Sequence, residues 1–202
     1  MDEFSDFIYE APNALAEDKC KYLIQYFEDN KNLHGHGVVG NNTVNKNVKN
    51  TTDVILNPNT TNDPKIHEII AHINELFDIH TNIYFTKLKT LYNVDAPKFF
   101  TTTYKMQKYY TNQGFFRNHT DFNAWSPEGT TTEAGYRIFA YMFYLNTVDE
   151  GGTTSFFNHQ SIKPDVGKLL FFPAEWFFMH GGNIPTSNDK YIITGCFNIL
   201  NR

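Results

Sequence analysis

Pro97 divides the chain into two stretches of different periodicity, and that division most restricts the folds open to it. Before it, Leu15, Cys20, Leu23, Ile24 and Phe27 recur at helical spacing, as do Ile66, Ile69, Ile70, Ile73, Leu76 and Phe77. The first set predicts a helix over 13–29, capped by Asn13 and with Glu17 and Asp18 at its positive end. The second predicts one long or two shorter helices over 64–91, with His80-Thr81 as the point of any break. The Gly- and Asn-rich stretch 34–62 between them reads as loop, with a short strand at Val54-Ile55-Leu56. After Pro97 come stretches rich in Thr, Tyr and Phe, at 99–110, 136–146, 153–157, 168–172 and 191–200. Glu150-Gly151-Gly152, Pro164-Asp165-Val166-Gly167 and Gly181-Gly182-Asn183 read as the breaks between them. Helices followed by strands, rather than βαβ alternation, predict an α+β or mostly β chain in which the helices pack against one sheet. We read 1–202 as one domain, with 1–95 mainly helical support and 96–202 the β core.

An aromatic share of 16% suits a β-rich core, and 202 residues bury enough apolar surface to need no metal staple or disulfide framework. Cys20 and Cys196 read as two reduced thiols, which points to a reducing compartment. The acidic start Met1-Asp2-Glu3 is unlike a signal peptide, and no apolar run approaches a membrane span. A soluble, cytoplasmic protein is expected. A net charge of −5 argues against a nucleic-acid partner, which requires a basic footprint.

His119-Thr120-Asp121 puts an imidazole and a carboxylate two residues apart, so on extended backbone both leave the same face. With eight His in the chain this spacing alone is unremarkable. A third ligand must come from elsewhere, and His180 sits between an apolar run and Gly181-Gly182. Two His and one carboxylate suit Fe(II) and leave coordination positions open. Other histidines fit less well. His34 and His36 lie in a Gly-rich loop, and His67, His72 and His80 lack the i, i+4 spacing of a helical zinc pair. His159 falls in a turn beside the strands.

The surrounding residues add the specificity that the dipeptide lacks. Tyr109-Tyr110, Gly114-Phe115-Phe116 and His119-Thr120-Asp121 are followed by the strand Arg137 to Asn146 ending in Tyr144-Leu145-Asn146. Glu150-Gly151-Gly152-Thr153-Thr154-Ser155-Phe156, Lys163-Pro164, Gly167-Lys168-Leu169-Leu170-Phe171-Phe172, His180 and Lys190-Tyr191 then follow in order. This succession resembles the prolyl 4-hydroxylase-like branch of the Fe(II)- and 2-oxoglutarate-dependent dioxygenases, over roughly 100–199 and weakly before it. The resemblance implies a double-stranded β-helix (a jelly roll, cupin-like) with His119, Asp121 and His180 holding Fe(II) at its mouth. It implies 2-oxoglutarate and O₂ as co-substrates, with succinate and CO₂ as products and ascorbate in support.

In the same resemblance Lys190, ten residues after His180, neutralises the far carboxylate of 2-oxoglutarate, a task that suits a buried ammonium. Taken alone it reads as a surface lysine. Tyr109 and Tyr110 point to opposite faces of a strand, so one of them can hydrogen-bond that carboxylate; counting back nine from His119 favours Tyr110. Arg137 matches a position near substrate, with a structural salt bridge as the other reading. The polar segment 122–135 reads as a lid over substrate, with Trp125 as its apolar anchor. Cys196 stands where many relatives carry Trp. The expected substrate is a prolyl or other amino-acid residue in a peptide or protein. The alternatives are a free amino acid, small molecule or nucleobase oxidised by the same chemistry, and an inactive jelly-roll ligand-binding module.

Overall fold

The computed structural model describes residues 3–40, 42–57, 61–101, 104–122, 136–157 and 160–199. In chain order these form β1 (Tyr9–Ala11), α1 (Glu17–Asp29), β2 (Gly35–His36), β3 (Val38–Val39), β4 (Thr43–Val44), β5 (Lys49–Asn50), β6 (Thr52–Leu56) and α2 (Pro64–Tyr92). There follow β7 (Phe100–Thr101), β8 (Tyr104–Tyr109), β9 (Phe115–His119), β10 (Tyr136–Tyr144), β11 (Thr154–Phe156), β12 (Ser161–Ile162), β13 (Leu169–Pro173), β14 (His180–Gly182) and β15 (Lys190–Ile199).

Helix α2 starts where the Asp63 carboxylate accepts from the Lys65 and Ile66 N–H groups at 2.9 and 3.3 Å, with Pro64 in the first turn. It ends at Asn93, which takes a left-handed conformation with φ 57°. It is one helix, unbroken at His80-Thr81: the Thr81 hydroxyl donates to the Phe77 carbonyl at 2.6 Å and needs no partner outside the helix. Helix α1 begins four residues later than expected. Asn13 does not cap it but turns the chain at φ 54°, and the Leu15 N–H donates to the Gly167 carbonyl at 3.0 Å, so this stretch is tied to the loop before β13. Ala16 becomes the N-cap, with no side-chain cap bond.

Among the described residues the strands build two main antiparallel sheets. The larger runs β1-β13-β10-β15-β8-β6-β2, with β7 also on β15; the smaller runs β12-β11-β14-β9-β5. The stretch 34–62 therefore holds more than the one short strand expected. It supplies strands to both sheets, and β6 pairs with β8 from Thr52↔Lys108 to Leu56↔Tyr104. Two-residue strands are too short to show a period of two, which is why the sequence reads as loop there. Gly181 and Gly182 likewise lie inside β14 rather than in a break, paired with β11 and β9.

Two apolar layers flank the larger sheet. On its outer face Leu23 and Phe27 of α1 and Ile66, Ile73 and Phe77 of α2 meet Met106, Phe139, Tyr141, Phe171 and Phe197. Phe139 stacks on Phe197 with centroids 4.3 Å apart, and each such ring contributes about 2–3 kcal/mol by leaving water. On its inner face Ala140, Met142, Leu170, Phe172 and Ile192 meet Phe156 and Phe178. The alternation of β10 and β15 thus serves both layers, and the two facing sheets form a jelly roll whose open end lies beside β9 and β14.

Candidate functional site

Strands β9 and β14 pair antiparallel with His180 opposite His119, so both imidazoles rise at the same end of the smaller sheet. Their ring centroids are 4.3 Å apart. Asp121 follows two residues after the last residue of β9 and completes the group: its carboxylate lies 3.9 Å from His119 Nε2 and 3.6 Å from His180 Nε2. One ligand atom from each of the three residues falls within 4.8 Å of the others. Each Nδ1 lies against a backbone carbonyl two residues earlier, Arg117 at 2.8 Å and Phe178 at 3.0 Å. A carbonyl only accepts, so each Nδ1 carries the proton and each Nε2 presents its lone pair to the common centre. Phe116 stacks on His119 at 3.5 Å and Phe172 stands at 4.5 Å from His180, which fixes both rings.

The electrostatics match that arrangement. Burial, with His180 beside it, pushes His119 down to about 4, so its ring is neutral at pH 7. Burial alone would raise Asp121, but His180 and His119, then Arg137 and Lys105, hold it below the usual carboxylate range. Two imidazoles that present Nε2 and one ionised carboxylate form a donor set that fits a divalent metal.

The neighbouring sheet supplies a second feature. Lys190 is fully buried, and its ammonium donates to the Gly152 carbonyl at 2.7 Å. No carboxylate among the described residues pairs with it, and burial pushes it down to about 7. A buried cation without its anion fits a ligand that brings a carboxylate. Lys190 pairs with Tyr109 in the β8–β15 ladder, and its Nζ lies 4.3 Å from the Tyr109 ring centroid. Tyr109 is 3% exposed, and its hydroxyl donates to Gln107 Oε1 at 3.3 Å. Tyr110 is 40% exposed and covers the Lys108 ammonium on the outside. The count back from His119 favours Tyr110; the structure brings Tyr109 to Lys190 instead. Strand β8 ends at Tyr109, and the turn through Asn112 (φ 60°) carries Tyr110 outward. Gly182 leaves room for this tyrosine, since a Cβ there would lie 3.1 Å from its hydroxyl oxygen.

Arg137 lies at the mouth, its Nη1 3.4 Å from the Asp121 carbonyl. Trp125, His159 and most of the segment 122–135 lie outside the described residues. Cys196 faces the inner layer, its thiol kept protonated chiefly by burial. His34, His67, His72 and His80 hydrogen-bond elsewhere, to Phe27, Thr61, Glu75 and Tyr9.

Two groups of residues were missed in the sequence. Tyr144 is buried on the inner face of β10 with its hydroxyl on Thr154 Oγ1 at 2.8 Å; its place in the β10 alternation was the signal. Lys49, Asp53 and Gln107 form a buried network: Asp53 accepts from Lys49 Nζ at 2.8 Å, Thr51 Oγ1 at 2.7 Å and Gln107 Nε2 at 3.2 Å. No sequence signal marked them, because a lysine in the Asn-rich stretch Asn45 to Asn50 reads as surface.

Comparison with known proteins gives the following. Residues 104–198 match the family model of the 2OG-Fe(II) oxygenase superfamily. No curated protein matches by sequence. Among solved structures, the viral collagen prolyl hydroxylase from Paramecium bursaria Chlorella virus-1, with 2OG, is 18% identical with a TM-score of 0.67, over 96% of this chain and 97% of that one. A Trichoplax adhaerens prolyl hydroxylase, in complex with a peptide fragment of the hypoxia-inducible factor oxygen degradation domain, is 15% identical with a TM-score of 0.70, over 96% and 84%. A Pseudomonas putida prolyl-4-hydroxylase is 15% identical with a TM-score of 0.66, over 96% and 93%.

Proposed function

Since residues 104–198 match the family model of the 2OG-Fe(II) oxygenase superfamily, we propose that the chain is such an oxygenase and hydroxylates a prolyl or other amino-acid residue of a peptide or protein, releasing succinate and CO₂. The observation that carries this reading is the pairing of the His119, Asp121 and His180 cluster with a buried Lys190 on the facing sheet. When bound, Fe(II) with 2-oxoglutarate and O₂ supplies an oxidant able to insert oxygen into an unactivated C–H bond.

The residues of the chain hold, orient and keep dry. His119 and His180 offer Nε2, with Nδ1 fixed by the Arg117 and Phe178 carbonyls, and Asp121 offers its carboxylate. Lys190 and the Tyr109 hydroxyl bind the far carboxylate of 2-oxoglutarate. Ala140, Met142, Leu170, Phe172 and Ile192 line the interior with apolar surface that excludes water from the reacting atoms. Arg137 faces substrate from the Asp121 side. Trp176 and Phe177, exposed just before Phe178 and His180, offer aromatic surface to a peptide.

The test is incubation of the chain with Fe(II), ascorbate and 2-oxoglutarate, with proline-rich peptides in one series and free amino acids in another. A one-oxygen mass gain on a peptide, accompanied by succinate and abolished in Asp121→Ala, is the expected result. Oxidation confined to free amino acids would replace the peptide reading.

A further inference from the structure

From the placement of Lys105 and Arg137 we infer that the substrate carries a carboxylate close to the carbon that is oxidised, and that these two residues receive it. This inference rests on the functional reading above and names its substrate class.

Successive inward-facing residues of β8 mark levels along the interior. Tyr109 pairs with Lys190, Gln107 with Ile192 and Lys105 with Thr194. Lys105 is thus four residues from the Lys190 level, about 13 Å along the strand. A five-carbon dicarboxylate anchored at Lys190 ends short of that, so Lys105 stands beyond the metal cluster, on the side open to substrate. Arg137, opposite Asn198 on β15 and so four residues beyond the Lys105 level, reaches back with its guanidinium to the Asp121 carbonyl. Both cations favour the ionised form of Asp121 and of Cys196, so both lie within electrostatic reach of these two residues.

Neither has an acidic partner among the described residues. The cross-strand neighbours of Lys105 are Ile55 and Thr194. Asp53, the nearest acid in the ladder, is already engaged by Lys49, Thr51 and Gln107. With Asp121 and Lys190 counted, Fe(II) and doubly charged 2-oxoglutarate bring the inner chamber to neutrality, and Lys49 is neutralised by Asp53. Lys105 and Arg137 then remain as two half-buried positive charges near Asp121. Two like charges held there without counterions among the described residues are unfavourable unless a ligand supplies the anion. The thiol of Cys196, kept protonated, offers no such charge. A carboxylate meets the requirement. It has two possible sources: the side chain of an Asp or Glu beside the oxidised residue in a peptide, or the α-carboxylate of a terminal or free amino acid.

The test uses the full chain, loaded without O₂ with Fe(II) and 2-oxoglutarate; the charge-transfer absorption of that complex reports whether the cofactors bind. Calorimetry then measures binding of blocked pentapeptide pools with Glu, Gln or Lys at the centre, and of free amino acids against their amides. The expected result is at least about tenfold tighter binding of the Glu pool over the Gln pool, or of the acids over the amides, as a charge-assisted hydrogen bond provides. Which pair differs identifies the source of the carboxylate. The preference should vanish in Lys105→Met and in the more polar Lys105→Gln, and turn toward the Lys pool in Lys105→Glu, with the absorption band intact in all three. Equal binding of acid and amide partners, or a preference that survives in the neutral variants, overturns the inference while leaving the oxygenase reading in place. If no absorption band forms in the unmodified chain, the functional reading fails and this inference fails with it.

Discussion

His119 and His180 present Nε2 to one carboxylate, that of Asp121, at 3.9 and 3.6 Å, while the carbonyls of Arg117 and Phe178 hold the opposite edges of their rings. Neither imidazole needs to change tautomer or rotate far to share an ion with the carboxylate. Preorganisation of this kind makes each of the three residues necessary rather than supportive.

Removing any one of them should therefore abolish divalent metal binding. Loss of a mere outer partner of a ligand costs roughly 10–100-fold in affinity, so Asp121→Ala or His180→Ala should lose at least about 100-fold. Titration with Mn(II), read by electron paramagnetic resonance, measures this directly. An Asp121→Ala variant that binds Mn(II) like the parent would remove the assignment of the centre.

Tyr109 and Tyr110 make opposite forecasts. Tyr109→Phe removes the hydroxyl of the ring that packs on Lys190 and should weaken 2-oxoglutarate binding by about tenfold, the worth of one hydrogen bond to a charged group. Tyr110→Phe, on the outer surface over Lys108, should leave it unchanged. Calorimetric titration of the two variants, each loaded with Mn(II), distinguishes them, and the reverse order of effects would return the role to Tyr110.

Lys190 predicts an unusual dependence on pH. Buried, it releases its proton near 7, whereas in the unfolded chain a lysine does so near about 10.4. Between these values the unfolded state binds more protons, so stability should rise with pH; below about pH 7 the cost of the buried charge is fully present. Thermal melts of the chain without metal or co-substrate should show this rise between pH 7 and 9, and Lys190→Met should flatten it while gaining stability at pH 7. Binding of 2-oxoglutarate needs the protonated amine, so affinity should fall over the same range, with proton uptake measurable by calorimetry in two buffers. A Lys190→Met variant with the parental slope would place the titration elsewhere.

The sequence revealed most where residue order carries register. His119, Asp121, His180 and Lys190 each gained weight from the others' spacing; the structure brings the first three together and buries Lys190 on the larger sheet beside Tyr109. The same counting chose Tyr110, because spacing cannot locate where β8 gives way to its turn; that depends on left-handed Asn112 and on the Asp189 carboxylate accepting from the Thr111 N–H at 2.8 Å. Lys49 and Asp53 were illegible for another reason. Their strands are two and five residues long, and their burial is decided by partners from β8 and β9. Charges buried by tertiary pairing leave no local pattern.

That buried pair supports the last prediction. Lys49 is 2% exposed, its ammonium lies 5.1 Å from the Phe116 ring centroid, and Phe116 in turn stacks on His119. Through Asp53 the pair also orients Gln107, whose other end accepts the Tyr109 hydroxyl. Breaking it from one side leaves a buried charge unpaired, at a cost of about 3–5 kcal/mol. Lys49→Met and Asp53→Asn should each destabilise the chain by that order in urea denaturation. The double variant Lys49→Met with Asp53→Leu should recover much of the loss, since apolar replacement of a buried pair is often neutral. Stability and site then separate: the Gln107 carbonyl takes the Tyr109 hydroxyl proton that a bound carboxylate also needs, so the double variant, in which Gln107 is no longer held, should bind 2-oxoglutarate more tightly than the parent. Unchanged affinity in the stable double variant would show that the network supports only the fold.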